Sequence, residues 1–307
     1  MKTILITGIS GFVGSNLTSY LWQHTDYKIL GSSRHEHFSV QGKEIEIIKN
    51  DSKQWNDHQV DVVIHLAGIA HDLSGKFQTD DYERVNVEGT RQVVDEFLQS
   101  AASVFIFVSS IKAVADHSVE VLDELVVPNP KSDYGKSKLK AEQYIESRLN
   151  NSKKRFYILR PAMMHGSGNK GNLNLLYRFV KKGFPFPFGK FHNQRSFLSI
   201  ENFSFVVRAL MEKPVLSGVY HVADDGALST GELYGLIADT LGKKKRVWNV
   251  PGGLLKSLAA LFGKKQMVDK LTESMIVSNK KLCQTLDTQL PIEIKEGLQK
   301  TIRSFHG

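Results

Sequence analysis

The sequence is poor in cysteine and in long apolar runs. Cys283 is the single cysteine among 307 residues, which excludes intramolecular disulfides and cysteine-cluster metal sites. We therefore expect no bound metal and a reducing compartment. The N-terminal apolar run stops at Gly8 without a signal-peptide cleavage pattern, and nowhere do apolar residues approach the ~20 that cross a membrane. These absences predict a cytoplasmic protein.

The chain carries a formal net charge of +8, but its basic residues occur in short, scattered runs. Residues 153–155, 243–246 and 264–265 are examples, and none shows the interleaved aromatic side chains that stack on nucleic-acid bases. We therefore expect a solvated surface and no nucleic-acid partner. A basic chain still favours anionic small ligands, including nucleotides.

Apolar segments of strand length alternate with helix-like segments through the first half of the chain. Near-continuous apolar strands at this spacing are typical of a parallel sheet covered by helices on both faces. The predicted fold is therefore α/β, with a doubly wound, Rossmann-type parallel sheet. The predicted strands are residues 3–7, 27–31, 45–49, 61–67, 104–109 and 156–160.

The pattern loosens after Pro161 into a stretch rich in glycine, asparagine and proline. We infer a dinucleotide-binding domain over residues 1–165 and a smaller, mostly helical substrate domain over residues 166–307. Residues 196–224 are expected to return to the first domain. The helices predicted in this half are residues 200–212, 229–242 and 252–262.

Three glycines follow the first predicted strand at a spacing of three, in ITGISGFVG. A turn that joins a strand to a helix directs backbone N–H groups and the positive end of the helix dipole at one point, which suits a pyrophosphate. The alternative is a glycine turn needed only for tight packing of strand and helix. The predicted cofactor contacts in this turn are Gly8, Gly11, Phe12, Val13 and Gly14.

The second strand ends in Ser32, Ser33 and Arg34, with no acidic residue before Glu36. An acid at this place would bind a ribose 2′-hydroxyl, whereas serines and an arginine suit a 2′-phosphate, so NADP(H) is favoured slightly over NAD(H). Alternatively, Arg34 stacks on adenine or is solvated. Asp51 is placed to accept a hydrogen bond from the adenine amino group, or else to form a turn.

A second group of polar residues indicates acid/base chemistry. Tyr134 and Lys138 lie four residues apart at the start of a predicted helix and so share a face. An ammonium beside a phenol favours the phenolate, and Tyr134 is therefore a candidate acid/base. A buried strand ends in Ser109 and Ser110, either of which could bind the reacting oxygen; we favour Ser110, while the other serine would cap a turn or helix.

Taken together, these motifs resemble the extended short-chain dehydrogenase/reductase family of NAD(P)-dependent nucleotide-sugar epimerases, dehydratases and reductases. The similarity runs through nearly the whole chain. Within the family, residues 171–203 and 221–242 most resemble the UDP-galactose 4-epimerase-like branch, which includes 4-ketoreductases. The motifs that carry the resemblance are TGISGFVG, HLAGIA, NVEGT at 86–90, SSIKA, YGKSK at 134–138 and Arg160-Pro161.

The resemblance implies a role for each matching residue. Tyr134 would be the acid/base, Lys138 would bind the nicotinamide ribose and lower the pKa of Tyr134, and Ser110 would hold the C4 oxygen of the sugar. Further cofactor contacts would come from Leu66, Ala67, Gly68 and Asn86. Nucleotide contacts would come from Asn172 and Arg195 at the diphosphate and from Phe186 at the base, with hydrophobic packing under a loop as the alternative for Phe186.

Three positions depart from the family pattern, and the first of them bears on which reaction is expected. Ile111 and Lys112 follow the serines where 4,6-dehydratases have an acid pair, so dehydratase activity is not expected. The loop is also one residue shorter than in many epimerases, which leaves the choice between Ser109 and Ser110 open. His165 replaces a usual tyrosine and is expected to be structural rather than a substrate contact.

The expected activity is hydride transfer at C4 of a UDP-hexose or UDP-N-acetylhexosamine, by a 4-epimerase or a 4-ketoreductase of polysaccharide biosynthesis. The alternative is a non-catalytic protein of the same fold that senses NAD(P). The resemblance also implies a homodimer. An apolar segment at residues 251–265 ends in two lysines and could lie on an anionic membrane, but we expect it to pack in the core and expect no membrane contact.

Overall fold

The computed structural model describes residues 1–34, 36–69, 77–169, 171–187, 189, 191–251, 253, 268 and 272–305. Its centre is an eight-stranded sheet in the order β11-β8-β6-β5-β1-β2-β4-β3. All neighbouring strands are parallel except the edge pair β3 and β4. The strands are β1 Thr3–Thr7, β2 Lys28–Ser32, β3 Phe38–Val40, β4 Lys43–Ile47, β5 Val62–His65, β6 Val104–Val108, β8 Arg155–Pro161 and β11 Gly218–Val222.

Helices cover both faces of this sheet, as its apolar strands require. Side chains alternate along β1, so that Ile4 and Ile6 face one core and Leu5 faces the other. The first core is closed by α1 Phe12–His24 and α7 Ile200–Glu212. The second is closed by α2 Ser52–Asp57, α4 Gly89–Gln99 and α5 Asp133–Leu149. The doubly wound arrangement predicted from the sequence is therefore present.

The strand order reverses direction at β1, whose neighbours are β2 on one side and β5 on the other. Connections leave this point in opposite directions, which opens a crevice at the carboxyl ends of the strands where ligands bind in such sheets. One long helical segment follows β5. It consists of α3 Thr79–Tyr82, a π-helical turn Glu83–Glu88 and then α4.

A third core lies among helices of the C-terminal half. It joins α6 Asn172–Lys181, α8 Thr230–Thr240 and α10 Ile294–Ser304. In the described residues, two small parallel sheets pair β9 Met163–His165 with β10 Phe197–Ser199 and β7 Val121–Leu122 with β12 Ile276–Val277. A 3-10 turn Ile111–Ala113 and α9 Lys280–Leu286 are also present.

Most predicted elements are present, one strand was not predicted, and one predicted helix lies outside the described residues. The predicted strand 3–7 and helix 200–212 coincide with β1 and α7. Strand β11 was not predicted, although it extends the main sheet beside β8 and places part of the 196–224 segment there. Nearly all of the predicted helix 252–262 lies outside the described residues, as does most of segment 251–265.

Candidate active site

The glycine turn lies at the carboxyl end of β1 and is packed tightly on its inner side. Gly8 has φ +69°, and a Cβ there would lie 2.8 Å from the backbone of Ala67. A Cβ on Gly14 would lie 2.5 Å from the carbonyl oxygen of Ile9. Gly11 is exposed and begins α1 without a side-chain cap. The turn therefore serves strand-to-helix packing at Gly8 and Gly14, while Gly11 leaves the helix N-terminus accessible to an anion.

The carboxyl end of β2 closes one side of this turn. The backbone N–H of Gly8 donates to the carbonyl of Ser32 at 2.9 Å, and the hydroxyls of Ser10 and Ser33 are 3.3 Å apart. Arg34 follows with an exposed side chain. This placement keeps the serines and Arg34 beside the predicted phosphate site.

Asp51 has a structural role of its own. It caps α2, and its Oδ1 accepts the backbone N–H groups of Lys53 at 2.8 Å and Gln54 at 3.3 Å. This cap uses Oδ1 and supports the turn-forming alternative, while adenine recognition by Asp51 stays a prediction.

The loop after β5 is held over the glycine turn by Asn86. Asn86 is fully buried, its Oδ1 accepts the N–H of Ile69, and its Nδ2 donates to Ile69 and to the hydroxyl of Ser137. A Cβ on Gly68 would lie 2.9 Å from Asn86 Oδ1. Leu66 and Ala67 donate their N–H groups to Thr7. Asn86 thus fixes the shape of the 66–69 loop through α5 rather than presenting free polar atoms.

The three residues expected to act on the substrate converge at the end of β6. The Ser110 hydroxyl hydrogen-bonds the phenol of Tyr134 and also accepts the N–H of Lys112 at 3.2 Å. Lys138 is buried, and its Nζ donates to the carbonyl of Val108 at 3.0 Å. Ser109 instead donates to the carboxylate of Glu142. This geometry supports Ser110 over Ser109 as the serine beside the acid/base.

Burial governs the protonation of this group. It raises the pKa of Tyr134 to about 12, with the Ser110 hydrogen bond acting in the opposite direction. Burial also lowers the pKa of Lys138 to about 8, while the nearby Glu142 raises it. Burial outweighs the Ser110 hydrogen bond because a phenolate is strongly stabilised by water. The lowering of the Tyr134 pKa by Lys138 stays a prediction.

A buried histidine below the site was missed by the sequence analysis. His65 ends β5, and its ring nitrogens lie 2.7 Å from Thr7 Oγ1 and 3.0 Å from Thr90 Oγ1. Burial, with a smaller contribution from Lys138, lowers the pKa of His65 to about 3, which keeps it neutral. A neutral imidazole can donate on one nitrogen and accept on the other, so His65 links β1 to α4. An apolar strand that ends in histidine was the available signal.

The substrate-side candidates differ in how well the structure places them. The backbone of Arg195 exchanges two 3.0 Å hydrogen bonds with Leu228, and burial lowers the pKa of its guanidinium while Glu273 raises it. Phe186 is 1% exposed and stacks on Tyr234 at 4.8 Å, which favours the packing alternative over a base pocket. Asn172 begins α6, and its side chain lies outside the described structure.

His165 is structural, in agreement with the expectation. It is 1% exposed, its Nδ1 lies 2.9 Å from Thr301 Oγ1, and its Nε2 lies 3.7 Å from Asp224 Oδ2. It therefore joins β9 to α10 inside the protein. Among the residues that the structure describes, no group of His, Cys, Asp and Glu could hold a metal, and no helix is long and apolar enough to span a membrane.

Comparison with known proteins agrees with this geometry. The model of the NAD dependent epimerase/dehydratase family matches residues 4–223. The UDP-glucose 4-epimerase of Vibrio cholerae is 32% identical over 315 residues, covering 99% of this chain and 95% of that protein.

Two solved structures show the same fold. The UDP-N-acetylglucosamine 4-epimerase from Bacillus cereus has a TM-score of 0.80 at 19% identity and covers 100% of both chains. The UDP-glucuronic acid 4-epimerase from Bacillus cereus in complex with NAD has a TM-score of 0.78 at 20% identity and covers 99% of this chain and 98% of that one. These likenesses confirm the predicted fold class. The preference for NADP over NAD finds no support in them, since the cofactor named is NAD.

Proposed function

The chain belongs to the NAD dependent epimerase/dehydratase family, and from this premise we propose that it is an NAD-dependent nucleotide-sugar 4-epimerase. The observation that carries the proposal is the convergence of Ser110, Tyr134 and Lys138 beside the glycine turn. A protein that only sensed the cofactor would have no use for an acid/base tyrosine at this place. We therefore assign an enzymatic role to this group.

The residues around the crevice fit NAD. Gly11 leaves the N-terminus of α1 open, so the backbone N–H groups of Phe12 and Val13 are available to a pyrophosphate. Gly8 and Gly68 stand where a side chain would collide with Ala67 or Asn86, so these glycines keep the turn and the 66–69 loop closely packed beside the crevice. Ser33 and Arg34 would flank the adenosine ribose, and Lys138 would bind the nicotinamide ribose. We propose NAD, the cofactor of the structurally similar epimerase, rather than NADP.

The side chains divide the proton chemistry between them. Ser110 would hold the C4 oxygen of the sugar, and Tyr134, as a phenolate, would take the C4 hydroxyl proton. NAD, held by the residues named above, would supply the hydride chemistry at C4, with removal from one face of the sugar and return to the other. Tyr134 then gives the proton back to the C4 oxygen. Lys138, with its pKa near 8, is mostly protonated at pH 7, and its positive charge would oppose the burial that raises the pKa of Tyr134.

The proposed substrates are UDP-hexoses and UDP-N-acetylhexosamines. The relatives named above act on a UDP-hexose, a UDP-N-acetylhexosamine and a UDP-uronic acid, which supports a UDP-linked sugar. Arg195 offers a planar guanidinium suited to two oxygens of a diphosphate. Asn172 stays as a proposed contact to the nucleotide, whereas for Phe186 we propose the packing role, because it is buried and stacks on Tyr234.

We also propose the domain division at residue 165. Residues 1–165, together with 196–224, would form the dinucleotide-binding domain, and the rest of 166–307 would bind the nucleotide sugar. The pairing of β11 with β8 and the packing of α7 against the α1 side of the sheet support this division. Assembly as a homodimer stays a prediction.

The decisive test is Tyr134→Phe. We expect kcat for interconversion of UDP-glucose with UDP-galactose, or of their N-acetylated counterparts, to fall about 10²- to 10⁴-fold. Tyr144→Phe is the matched control, because Tyr144 lies on the same helix and its hydroxyl contacts only Asp95 among the described hydrogen-bond partners. Its kcat should stay within about twofold of wild type, as expected for a surface change. Unchanged turnover in Tyr134→Phe would refute the mechanism.

A second measurement separates the epimerase from the 4-ketoreductase alternative. An epimerase keeps its cofactor through the cycle, whereas a reductase must release the oxidised cofactor after each turnover. We expect freshly purified protein to contain bound NAD in stoichiometric amount, measured by absorbance of the released nucleotide. An empty site that takes up NADPH would identify the reductase instead.

A further inference from the structure

A buried carboxylate lies directly behind the candidate active site. Glu142 is fully buried, and Ser109 donates its hydroxyl hydrogen bond to Glu142 Oε1. Arg160 donates to the same carboxylate through Nε at 3.1 Å and through Nη2 at 2.6 Å. None of these three residues has a part in the proton transfer described above.

Glu142 lies on the same helix and the same face as the acid/base pair. It follows Lys138 by one turn of α5 and Tyr134 by two turns. Three consecutive residues at the end of β6 each contact one of these helix residues. Val108 accepts from Lys138, Ser109 donates to Glu142, and Ser110 hydrogen-bonds Tyr134.

The charge of Glu142 is balanced from the side away from the site. Arg160 is on β8, and its Nη1 lies 3.5 Å from Nε2 of His221 on the neighbouring strand β11. Burial, together with Arg160, lowers the pKa of His221 to about 4, so the ring is neutral and Nε2 can accept. His221 Nδ1 lies 3.3 Å from the carbonyl of Leu122 and donates to it in this tautomer. The chain of contacts anchors Glu142 to two strands of the main sheet.

A buried ion pair of this kind contributes little net stability, because desolvation of both charges offsets their attraction. What Glu142 does add is a defined position for Ser109. The backbone N–H of Ser109 donates to Leu159 at 2.8 Å, which joins the strand end to β8. The side-chain contact with Glu142 joins the same strand end to α5 and so sets the direction of the next residue, Ser110.

We infer that Glu142 is a positioning residue for the reaction: by holding Ser109, it fixes the strand end that presents Ser110 to Tyr134 and the Val108 carbonyl to Lys138. The inference rests on the proposed function for its kinetic consequence. It concerns residues that touch neither sugar nor cofactor in the proposed mechanism. The ion pair with Arg160 holds the Glu142 carboxylate in place, and the hydrogen bond from Ser109 to this carboxylate holds the strand end.

The variant that tests this inference is Ser109→Ala. It removes the hydroxyl contact but keeps the ion pair and the backbone hydrogen bond, so the fold should persist. We expect kcat to fall about tenfold with KM within about twofold of wild type, since small displacements of a reacting group are costly. Ser147→Ala is the matched control on α5, because its exposed hydroxyl donates to the nearby carbonyl of Tyr144 and has no other hydrogen-bond partner in the part of the chain that the structure describes. Ser109→Thr retains the hydroxyl and should restore most of kcat.

An NMR measurement on the NAD-bound protein makes the test independent of turnover. With ¹³C at the tyrosine ζ-carbons, the Tyr134 resonance is assigned by its loss in Tyr134→Phe. It should shift in Ser109→Ala, because the Ser110 hydrogen bond to the phenol changes, and should not shift in Ser147→Ala. If wild type converts no nucleotide sugar, the proposed function fails, and this resonance alone decides the inference. An unmoved resonance, or an unchanged kcat in Ser109→Ala beside an active wild type, overturns it.

Discussion

Replacing Lys138 by methionine should make the protein more stable and less active. Lys138 is 5% exposed, and burial lowers the pKa of its ammonium from 10.5 to about 8. That difference corresponds to about 3 kcal/mol of unfolding free energy at pH 7, because the charged form is favoured in the unfolded chain. Methionine keeps the apolar stem but loses the hydrogen bond to Val108, which is worth about 1 kcal/mol. The net expectation is a gain of about 2 kcal/mol.

The gain should disappear as the pH rises. Below pH 8 the lysine is protonated in both states, so the full cost of its burial applies. Between about pH 8 and 10.5 the folded protein loses this proton while the unfolded chain keeps it, and the stability of the wild type rises toward that of the variant. Above this window the variant should be slightly less stable, because it lacks the hydrogen bond.

Thermal unfolding of both proteins, stripped of cofactor, at pH 7 and pH 10 checks this prediction. At pH 7 the Tm of Lys138→Met should be about 4 °C higher, and its kcat should fall by a large factor. Lys140→Met is a suitable control, since Lys140 is exposed and forms a surface ion pair with Glu83. A lower Tm at pH 7, or a gain of equal size at both pH values, would refute the reasoning.

Two further changes test the cofactor side of the site. Gly8→Ala should lower the unfolding free energy by about 2 kcal/mol or more and weaken NAD binding, because a Cβ at φ +69° is strained and meets the Ala67 backbone at 2.8 Å. Urea unfolding measures the first effect and calorimetric titration with NAD the second. Unchanged values would contradict the packing described here. Asp51→Ala should cost about 1 kcal/mol through the lost helix cap and leave the Kd for NAD unchanged; a tenfold weaker Kd would instead restore adenine recognition as the role of Asp51.

The features that the sequence predicts well are those that depend on local pattern. Alternating burial of Ile4, Leu5 and Ile6 produces a strand covered on both faces, and the spacing of Tyr134 and Lys138 places both on one side of α5. Ser110 could be preferred over Ser109 but not separated from it, because neighbouring residues on a turn exchange faces with small changes of backbone angle. In the structure the two serines differ, because the Ser109 hydroxyl donates to Glu142, whereas the Ser110 hydroxyl contacts Tyr134.

Features that depend on distant partners could not be predicted in this way. Glu142 and Arg160 are 18 residues apart on different elements, and no periodic pattern links them. The carboxylate of Asp51 suits a helix cap and an adenine contact equally well until the position of α2 is known. The pKa of Tyr134 depends on how much of its side chain is buried as α5 packs against the sheet. The residues next to Tyr134 in the sequence do not determine this burial.

The π-helical turn Glu83–Glu88 has a consequence for how this helix can vary. One extra residue in a turn rotates everything beyond it by about 100° relative to a continuous α-helix. Asn86 therefore faces the loop and α5, while Val93 and Phe97 of the following α4 face the second core. If a single residue were removed from this turn, either Asn86 or the pair Val93 and Phe97 could keep its contacts, but not both. The extra residue thus sets the rotation of Asn86 relative to Val93 and Phe97. A deletion or insertion in this helix should therefore be tolerated as poorly as a change of these side chains.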